Sequence, residues 1–196
     1  MTLLYLIRHG ETLLNRKGVF QGTTDCGLND RGIKQSKELA LRMKDINMDY
    51  IFSSTLKRSY MTASYIASAK SLVINEFKNL NEMDFGVWED MHYKEIAKLY
   101  PKEWENWCND HFKSSPLRGE SFSNFHDRVI EALIKILKMY KGKSIVIVSH
   151  DGVMKVIASF LLKMGKEGFW SFKFEHGKYS LFEVIDDICI IRKINV

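Results

Sequence analysis

Short apolar runs alternate with longer amphipathic stretches along the chain, which predicts strands alternating with helices. Residues 3–7 and 145–148 are almost continuously apolar, as expected of strands buried on both faces. Between residues 121 and 140, apolar side chains recur every three or four positions, which predicts a long amphipathic helix. We therefore expect an α/β fold, a three-layer α/β/α sandwich with a mostly parallel central sheet. One domain, residues 1–196, would carry a small helical cap inserted at approximately 80–120.

Caps, breakers and shorter apolar runs predict the remaining elements. Asn29 and Thr55 are candidate N-caps of two helices. Pro101 divides residues 93–109 into two short helices. Residues 13–30 are polar and rich in glycine, which predicts a loop. Further strands are predicted at residues 50–52, 72–75, 180–185 and 188–194.

Composition narrows the class of protein. The chain has 45% hydrophobic and 27% charged residues and only two prolines, which is typical of a folded globular protein. Its longest apolar stretches are too short to span a bilayer, and no signal peptide is evident, so we expect a cytoplasmic protein without membrane partners. A net charge of +5 favours anionic partners, but the lysines are scattered and no nucleic-acid-binding motif is indicated. The three widely spaced cysteines predict neither a disulfide framework nor a zinc site.

The first strand stops abruptly at Arg8, His9 and Gly10. Open α/β sheets bind their ligands at the carboxyl ends of the strands. For this tripeptide alone, a polar turn in which Arg8 pairs with Glu11 is an equally good interpretation. The apolar run at residues 145–148 also ends in a histidine, His150. Because the carboxyl ends of parallel strands meet at one edge of a sheet, we expect the two histidines to lie close together.

Two histidines, two arginines and a glutamate around one crevice suit phosphoryl transfer. A neutral His9 can attack phosphorus in line. Arg8 and Arg58 can hold the phosphate oxygens, with His150 as an imidazolium adding a further donor. Glu82 can protonate the leaving alkoxide if its surroundings raise its pKa. This chemistry needs no metal and no cofactor, and the sequence contains no metal-binding motif.

These residues lie in segments that resemble the histidine phosphatase superfamily, also called phosphoglycerate mutase-like. The similarity covers nearly the whole chain and comprises residues 6–12 (LIRHGET), 21–22 (QG) with Asp25 and Leu28, 53–58 (SSTLKR) with Thr62 and Ala63, 80–82 (LNE), 85–86 (FG), 88–89 (WE), 119–121 (GES) and 148–152 (VSHDG). The resemblance implies that His9 is the phosphorylated nucleophile and Glu82 the proton donor. It also implies that Arg8, Arg58 and His150 bind the phosphate.

Four further positions are expected to contact phosphate or substrate. Asn15, Gln21 and Gly22 match family positions near the phosphate, and Trp88 is a candidate for stacking on a ring-bearing substrate. Packing within a small cap is an equally good interpretation of Trp88, as it is of Trp104 and Trp107.

Two departures from the family pattern lie near the expected mouth of the site. Asp90 stands where the family commonly has glycine after Trp-Glu, and Arg118 stands where a second glycine often precedes Gly-Glu-Ser. Both positions bear on the substrate and leave the phosphoryl chemistry unchanged.

Three functions suit this resemblance. A phosphatase would pass the phosphoryl group to water, whereas a mutase would return it to another hydroxyl of the substrate. The mutases that act on glycerate phosphates carry extra cap and tail segments, for which 196 residues leave little room. A phosphate-binding regulatory domain would be expected to lack His9 or Glu82, and this chain has both.

Residues 100–107 narrow the choice of substrate. Tyr100-Pro101, Trp104 and Trp107 are similar to the cobalamin-pathway branch of the family, which acts on α-ribazole 5′-phosphate. We therefore expect a metal-independent phosphomonoester hydrolase that acts on a small phosphorylated metabolite, α-ribazole 5′-phosphate, as a monomer or homodimer. A broad-specificity or sugar-phosphate phosphatase would have nearly the same sequence.

Overall fold

The computed structural model describes all residues, Met1–Val196, and contains one six-stranded mixed sheet. The strands are β1 (Thr2–Arg8), β2 (Tyr50–Ser53), β3 (Ile74–Glu76), β4 (Ser144–Ser149), β5 (Tyr179–Ile185) and β6 (Ile188–Lys193). Their order across the sheet is β3-β2-β4-β1-β5-β6. The first four in this order are mutually parallel, and β5 is antiparallel to both of its neighbours. The expected mostly parallel sheet is confirmed, and the final hairpin lies at its edge.

Seven α-helices surround the sheet. They are α1 (Leu13–Lys17), α2 (Asp30–Arg42), α3 (Lys57–Lys70), α4 (Tyr93–Leu99), α5 (Pro101–Asp110), α6 (Phe122–Met139) and α7 (Asp151–Leu161). Three short 3₁₀ helices cover residues 78–80, 86–88 and 166–171. None of the helices is both long and apolar enough to cross a membrane.

Side-chain alternation along the central strands produces two hydrophobic cores, one on each face of the sheet. Leu4 and Leu6 of β1 pack with α6 and α7, whereas Tyr5 and Ile7 pack with α2 and α3. The residues of β4 divide in the same way, and all of them are buried. This arrangement confirms the three-layer architecture.

The carboxyl ends of β1, β2 and β4 lie side by side. Arg8 is paired with Ser149, and Ser53 with Val148. The chain segments that follow, beginning at His9, Ser54 and His150, therefore emerge together at one edge of the sheet. This edge carries the candidate site.

Several predicted boundaries were wrong. Thr55 does not cap α3, because its hydroxyl contacts Asn81; Leu56 takes the N-cap position without a side-chain bond. The loop predicted after residue 12 contains α1, which begins with a capping box formed by Thr12 and Asn15. Asn29 does cap α2, as predicted.

The two positions that depart from the family pattern share one backbone conformation. Asp90 and Arg118 both have φ of 60°, which lies in the left-handed region that favours glycine. The family's glycines at these positions therefore have a conformational reason. Arg118 is exposed, and its side chain makes no hydrogen bond or ion pair, so nothing local offsets its strain.

Replacing Arg118 by glycine is expected to stabilise the fold by about 0.5–1 kcal/mol, because a left-handed non-glycine residue costs roughly that much or more. For a chain of this size, the melting temperature would rise by about 1–4 °C, measurable by calorimetry. Arg118→Ala is the matched control, because it removes the side chain but keeps the Cβ. Equal effects of the two substitutions would show that the backbone is not the cause.

Candidate active site

His9 lies directly after β1 and is almost completely buried, with 3% of its surface exposed. Its Nδ1 is 2.7 Å from the carbonyl oxygen of Gly10. A carbonyl only accepts, so Nδ1 carries the proton and Nε2 presents a lone pair. Burial, followed by the charge of Arg58, holds the pKa of His9 well below its usual value. His9 is therefore a neutral imidazole with a free lone pair, the form that a nucleophile requires.

His150 lies directly after β4, and its ring centroid is 5.1 Å from that of His9. Arg58 donates from Nε to Nδ1 of His150 at 3.2 Å, so the proton of His150 is on Nε2, which contacts the Ser54 hydroxyl at 2.8 Å. Burial and the charge of Arg58 hold the pKa of His150 well below its usual value. The prediction of an imidazolium at His150 is therefore wrong for this structure, although Nε2 still carries an N–H.

Arg58 is fully buried in the first turn of α3. Its three nitrogens all donate to protein acceptors: Nε to His150, Nη1 to the Thr24 carbonyl at 3.0 Å and Nη2 to the Gly22 carbonyl at 2.6 Å. A guanidinium has five N–H groups, so two remain for an anion. Such extensive anchoring fixes the position of these donors before any ligand arrives.

The loop that holds Arg58 is itself held by Glu89. Its carboxylate accepts bonds from the backbone N–H groups of residues 22, 23, 24 and 85, at 2.8–3.1 Å, and from the Thr24 hydroxyl at 2.5 Å. Glu89 therefore positions the loop without facing the ligand. In the sequence, it was visible only as part of the Trp88-Glu89 motif.

Arg8 ends β1 and lies beside the first turn of α7. Its Nη1 donates to the Phe174 carbonyl at 2.6 Å and lies 3.6 Å from the Asp151 carboxylate. Pairing with Glu11, the alternative left open by the sequence, does not occur, because Glu11 pairs with Arg31 at 3.2 Å. Nε of Arg8 is buried without a partner, so Arg8 retains unused donors beside His9.

Glu82 enters the site from the segment between β3 and α4, and only 8% of its surface is exposed. Its oxygens accept from the N–H groups of Met83 (3.1 Å) and Gly152 (3.0 Å). A Cβ at position 152 would lie 2.5 Å from Oε1 of Glu82, so this close approach needs glycine. Despite the two bonds, burial raises the pKa of Glu82. A carboxyl group with a raised pKa can act as a proton donor.

Arg128 fixes the segment that carries Glu82. It donates to the carbonyls of Asn79, Asn81 and Glu82 at 2.7–3.0 Å and pairs with Glu120 at 2.7 Å. The Gly-Glu-Ser motif thus contributes an anchor for the glutamate. This contact between segments far apart in the chain gave no signal in the sequence beyond the motif itself.

The four predicted contact residues have different positions. Asn15 and Gln21 lie together, since the Gln21 carbonyl accepts from Asn15 (3.2 Å) and from the Thr12 hydroxyl (2.7 Å). The Gly22 N–H donates to Glu89, and the Gly22 carbonyl accepts from Arg58. Gly22 therefore holds Arg58 and does not bind phosphate. Direct stacking of Trp88 on a substrate was also wrong, because this ring is fully buried.

His176 belongs to the site, although nothing in its sequence context indicated this. Its ring centroid is 5.3 Å from that of His9, and its Nδ1 donates to the His9 carbonyl at 3.1 Å. It lies in the irregular segment before β5, 167 positions from His9. Burial lowers its pKa to about 4. The neutral ring of His9 therefore lies between two other neutral histidines, His150 and His176.

These three histidines make stability depend on pH. Their pKa values are lowered on folding, so their contribution is fully present above the unfolded value of 6.5 and is lost as pH falls. Each can contribute a slope of up to about 1.4 kcal/mol per pH unit, and Glu82, with its raised pKa, opposes them. We measure the free energy of unfolding in urea as a function of pH. Between pH 6 and 5, its change with pH should be smaller in His176→Asn than in wild type by about 1.4 kcal/mol per pH unit, which corresponds to one proton. An unchanged slope would contradict a neutral His176.

An aromatic cavity adjoins Glu82 on the side of the short helices. Its volume is about 630 Å³, and ten of its sixteen lining residues are hydrophobic. Trp104, Trp107, Phe169 and Trp170 are among them. Trp170 donates from Nε1 to Nε2 of His111 at 3.0 Å, which links the 3₁₀ helix at residues 166–171 to the end of α5. Glu82 and Gly152 line this cavity, which therefore adjoins the candidate site.

Comparison with known proteins agrees with this geometry. Residues 4–196 match the family model of the histidine phosphatase superfamily (branch 1). Phosphoserine phosphatase 1 of Hydrogenobacter thermophilus is 34% identical, covering 100% of this chain and 93% of the relative. The adenosylcobalamin/alpha-ribazole phosphatase of Escherichia coli is 31% identical, covering 98% and 95%. The crystal structure of the alpha-ribazole phosphatase from Shigella flexneri superposes with a TM-score of 0.94 at 32% identity, covering 99% of this chain and 96% of that one.

The chain belongs to the histidine phosphatase superfamily. It is a phosphoric monoester hydrolase. The fold expected from the sequence and the observed fold are those of this family.

Proposed function

We propose that this enzyme hydrolyses α-ribazole 5′-phosphate through a phosphohistidine at His9. The observation that carries the substrate assignment is the aromatic cavity beside Glu82, which suits a leaving group with an aromatic base. Relatives that cover nearly the whole chain and are named alpha-ribazole phosphatases support it. We assign the recognition of this leaving group to the cap at approximately residues 80–120.

In the first step, the lone pair on Nε2 of His9 attacks phosphorus in line. The P–O bond of the ester breaks as the P–N bond forms. The departing 5′-oxygen takes the proton of Glu82, which leaves the carboxylate. Because burial raises the pKa of Glu82, more of it is protonated at a given pH than of an ordinary glutamate, as this step requires. No net charge remains on the released alcohol.

In the second step, the Glu82 carboxylate removes a proton from water as the water oxygen attacks the phosphohistidine. The P–N bond breaks, inorganic phosphate is released, and neutral His9 is regenerated. The same carboxyl group therefore serves first as acid and then as base.

The charge on the transferring phosphoryl group is met by fixed donors. Two N–H groups of Arg58 are unused in this structure, as are donors of Arg8. His150 carries a further N–H on Nε2, 2.8 Å from the Ser54 hydroxyl, and we assign this donor to the phosphate as well. Donors that are already positioned need no reorganisation in the transition state, which is the main source of catalysis in such sites.

A phosphoserine phosphatase is the competing assignment, favoured by the 34% identical relative. The leaving group of phosphoserine is small and charged, and it would leave most of a 630 Å³ aromatic cavity unfilled. Burying an aromatic base there would gain the free energy of removing its surface from water. The cavity therefore favours α-ribazole phosphate.

The assignment is tested by measuring kcat/KM for α-ribazole 5′-phosphate, phosphoserine, 3-phosphoglycerate, fructose phosphates and p-nitrophenyl phosphate. We expect α-ribazole 5′-phosphate to be preferred over the other metabolites by at least about tenfold, since an apolar group of a few methylenes already discriminates by that much. Preference for phosphoserine would show that the enzyme is a phosphoserine phosphatase instead. Isomerisation of 3-phosphoglycerate without phosphate release would identify a mutase.

A further inference from the structure

Lys155 is a buried cation inside the aromatic cavity. It lies on α7, one turn after Asp151, and only 9% of its surface is exposed. Lysine is rarely buried so deeply, because the ammonium group loses its hydration. None of the sequence motifs drew attention to this position.

The surroundings of Lys155 satisfy its charge but not all of its donors. Its Nζ is 2.8 Å from the Asp151 carboxylate. It also lies 4.8 Å from the ring centroid of Trp170 and 5.5 Å from that of Phe169, which are favourable cation–π distances. An ammonium has three N–H groups, and only one of them has a hydrogen-bond acceptor here. The other donors face a cavity lined by rings.

A molecule bound in the cavity can accept hydrogen bonds from the remaining N–H groups of Lys155. Lys155, Asp151 and Gly152 line the same cavity as Glu82. A leaving group that passes Glu82 therefore meets Nζ of Lys155 among the aromatic rings. An oxygen or aromatic nitrogen on that group would accept a bond from a charged donor, which is stronger than a neutral bond.

We propose that Lys155 determines substrate specificity by donating a hydrogen bond to an acceptor oxygen or nitrogen of the leaving group. This inference rests on the proposed function, because it places the leaving group in the aromatic cavity. It assigns the substrate class more narrowly: an aromatic leaving group that carries an acceptor is preferred over a purely hydrocarbon ring.

A positioning role is the competing explanation. Asp151 contacts both Lys155 and Arg8, so loss of Lys155 could disturb the phosphate-binding arginine. Such a disturbance would affect every phosphomonoester equally. A direct bond to the leaving group would affect only substrates that carry an acceptor.

The test compares Lys155→Met with wild type on α-ribazole 5′-phosphate and on phenyl phosphate, whose ring carries no acceptor beyond the ester oxygen. We expect kcat/KM to fall about 10- to 100-fold for the first substrate, as for a lost charged hydrogen bond, and by less than about threefold for the second. Lys155→Arg, which keeps a charged donor, should recover part of the loss. Lys138→Met, on the exposed face of α6, is the matched control.

Equal losses on both substrates would overturn the proposal and show that Lys155 has a positioning role. No loss on either substrate would show that Lys155 takes no part in substrate recognition. Melting temperatures of each variant show whether it is folded; if Lys155→Met is unfolded, Lys155→Leu, which also lacks a donor, provides the same comparison. If wild type hydrolyses phenyl phosphate but not α-ribazole 5′-phosphate, the proposed function fails. The variants are then compared on the best acceptor-bearing substrate of the screen, where the same selective loss is expected.

Discussion

Replacement of His9 by alanine is expected to lower kcat by at least about 10⁴-fold, comparable to removal of a nucleophile from other covalent enzymes. His150 cannot replace it as the nucleophile, because its Nδ1 accepts from Arg58 and its Nε2 carries the proton. The loss should be in kcat, because the arginines that bind phosphate remain.

The measurement is steady-state hydrolysis of p-nitrophenyl phosphate, with phosphate binding followed by calorimetry. His126→Ala is a suitable control, since His126 pairs only with the neighbouring Asp127. A folded His9→Ala enzyme that retains more than about a hundredth of wild-type activity would refute the covalent mechanism.

Replacement of Glu82 by glutamine is expected to reduce kcat by about 10²- to 10⁴-fold for an alkyl phosphate, the usual contribution of a general acid. Glutamine keeps the size of the side chain but has no carboxyl proton to give. p-Nitrophenolate leaves without protonation, so its release should be much less impaired. Burst kinetics separate release of the leaving group from hydrolysis of the phosphoenzyme, which also needs Glu82.

The pH profile provides a second measure of Glu82. Because burial raises its pKa, the protonated form persists to higher pH than in an ordinary glutamate and is lost as pH rises further. Wild-type activity with an alkyl phosphate should therefore decline on the alkaline side of that pKa. Glu82→Gln should lack this decline, and an identical alkaline limb in both enzymes would assign the acid to another group.

Much of the site could be predicted because its groups follow buried strands. Strands rich in apolar residues are predicted to lie inside the sheet, and the residues that follow each strand therefore lie at the edge of the sheet. This applies to His9 and His150, and the first-turn position of Arg58 follows from its short distance to β2. The histidines were predicted by position and type alone.

Side-chain direction and charge state were harder to predict. The sequence could not distinguish Trp88, which is fully buried, from Trp104, which lines the cavity. Trp88 lies in a three-residue 3₁₀ helix, which is too short to show a periodic pattern, whereas Trp104 lies in α5. The imidazolium assigned to His150 failed because its charge depends on burial and on contact with Arg58. A protonation state follows from packing, which no local pattern specifies.

Contacts between distant segments were not predictable at all. His176 reaches the site from a segment without regular structure, and Lys155 looks like an ordinary lysine of an apolar helix. Their roles depend on how the segments after α7 fold back over the sheet. The same holds for the left-handed backbone at Asp90 and Arg118, which only the structure reveals.

In this mechanism, the phosphoryl group passes through His9 on its way to water. Enzyme mixed with excess p-nitrophenyl phosphate and quenched in alkali, where phosphohistidine survives, can be digested and analysed by mass spectrometry. We expect one phosphoryl group per chain, located on the peptide that contains His9, formed as fast as nitrophenolate is released and absent from His9→Ala. Rapid turnover without any phosphoenzyme, or a phosphoryl group on another residue, would contradict a phosphohistidine at His9.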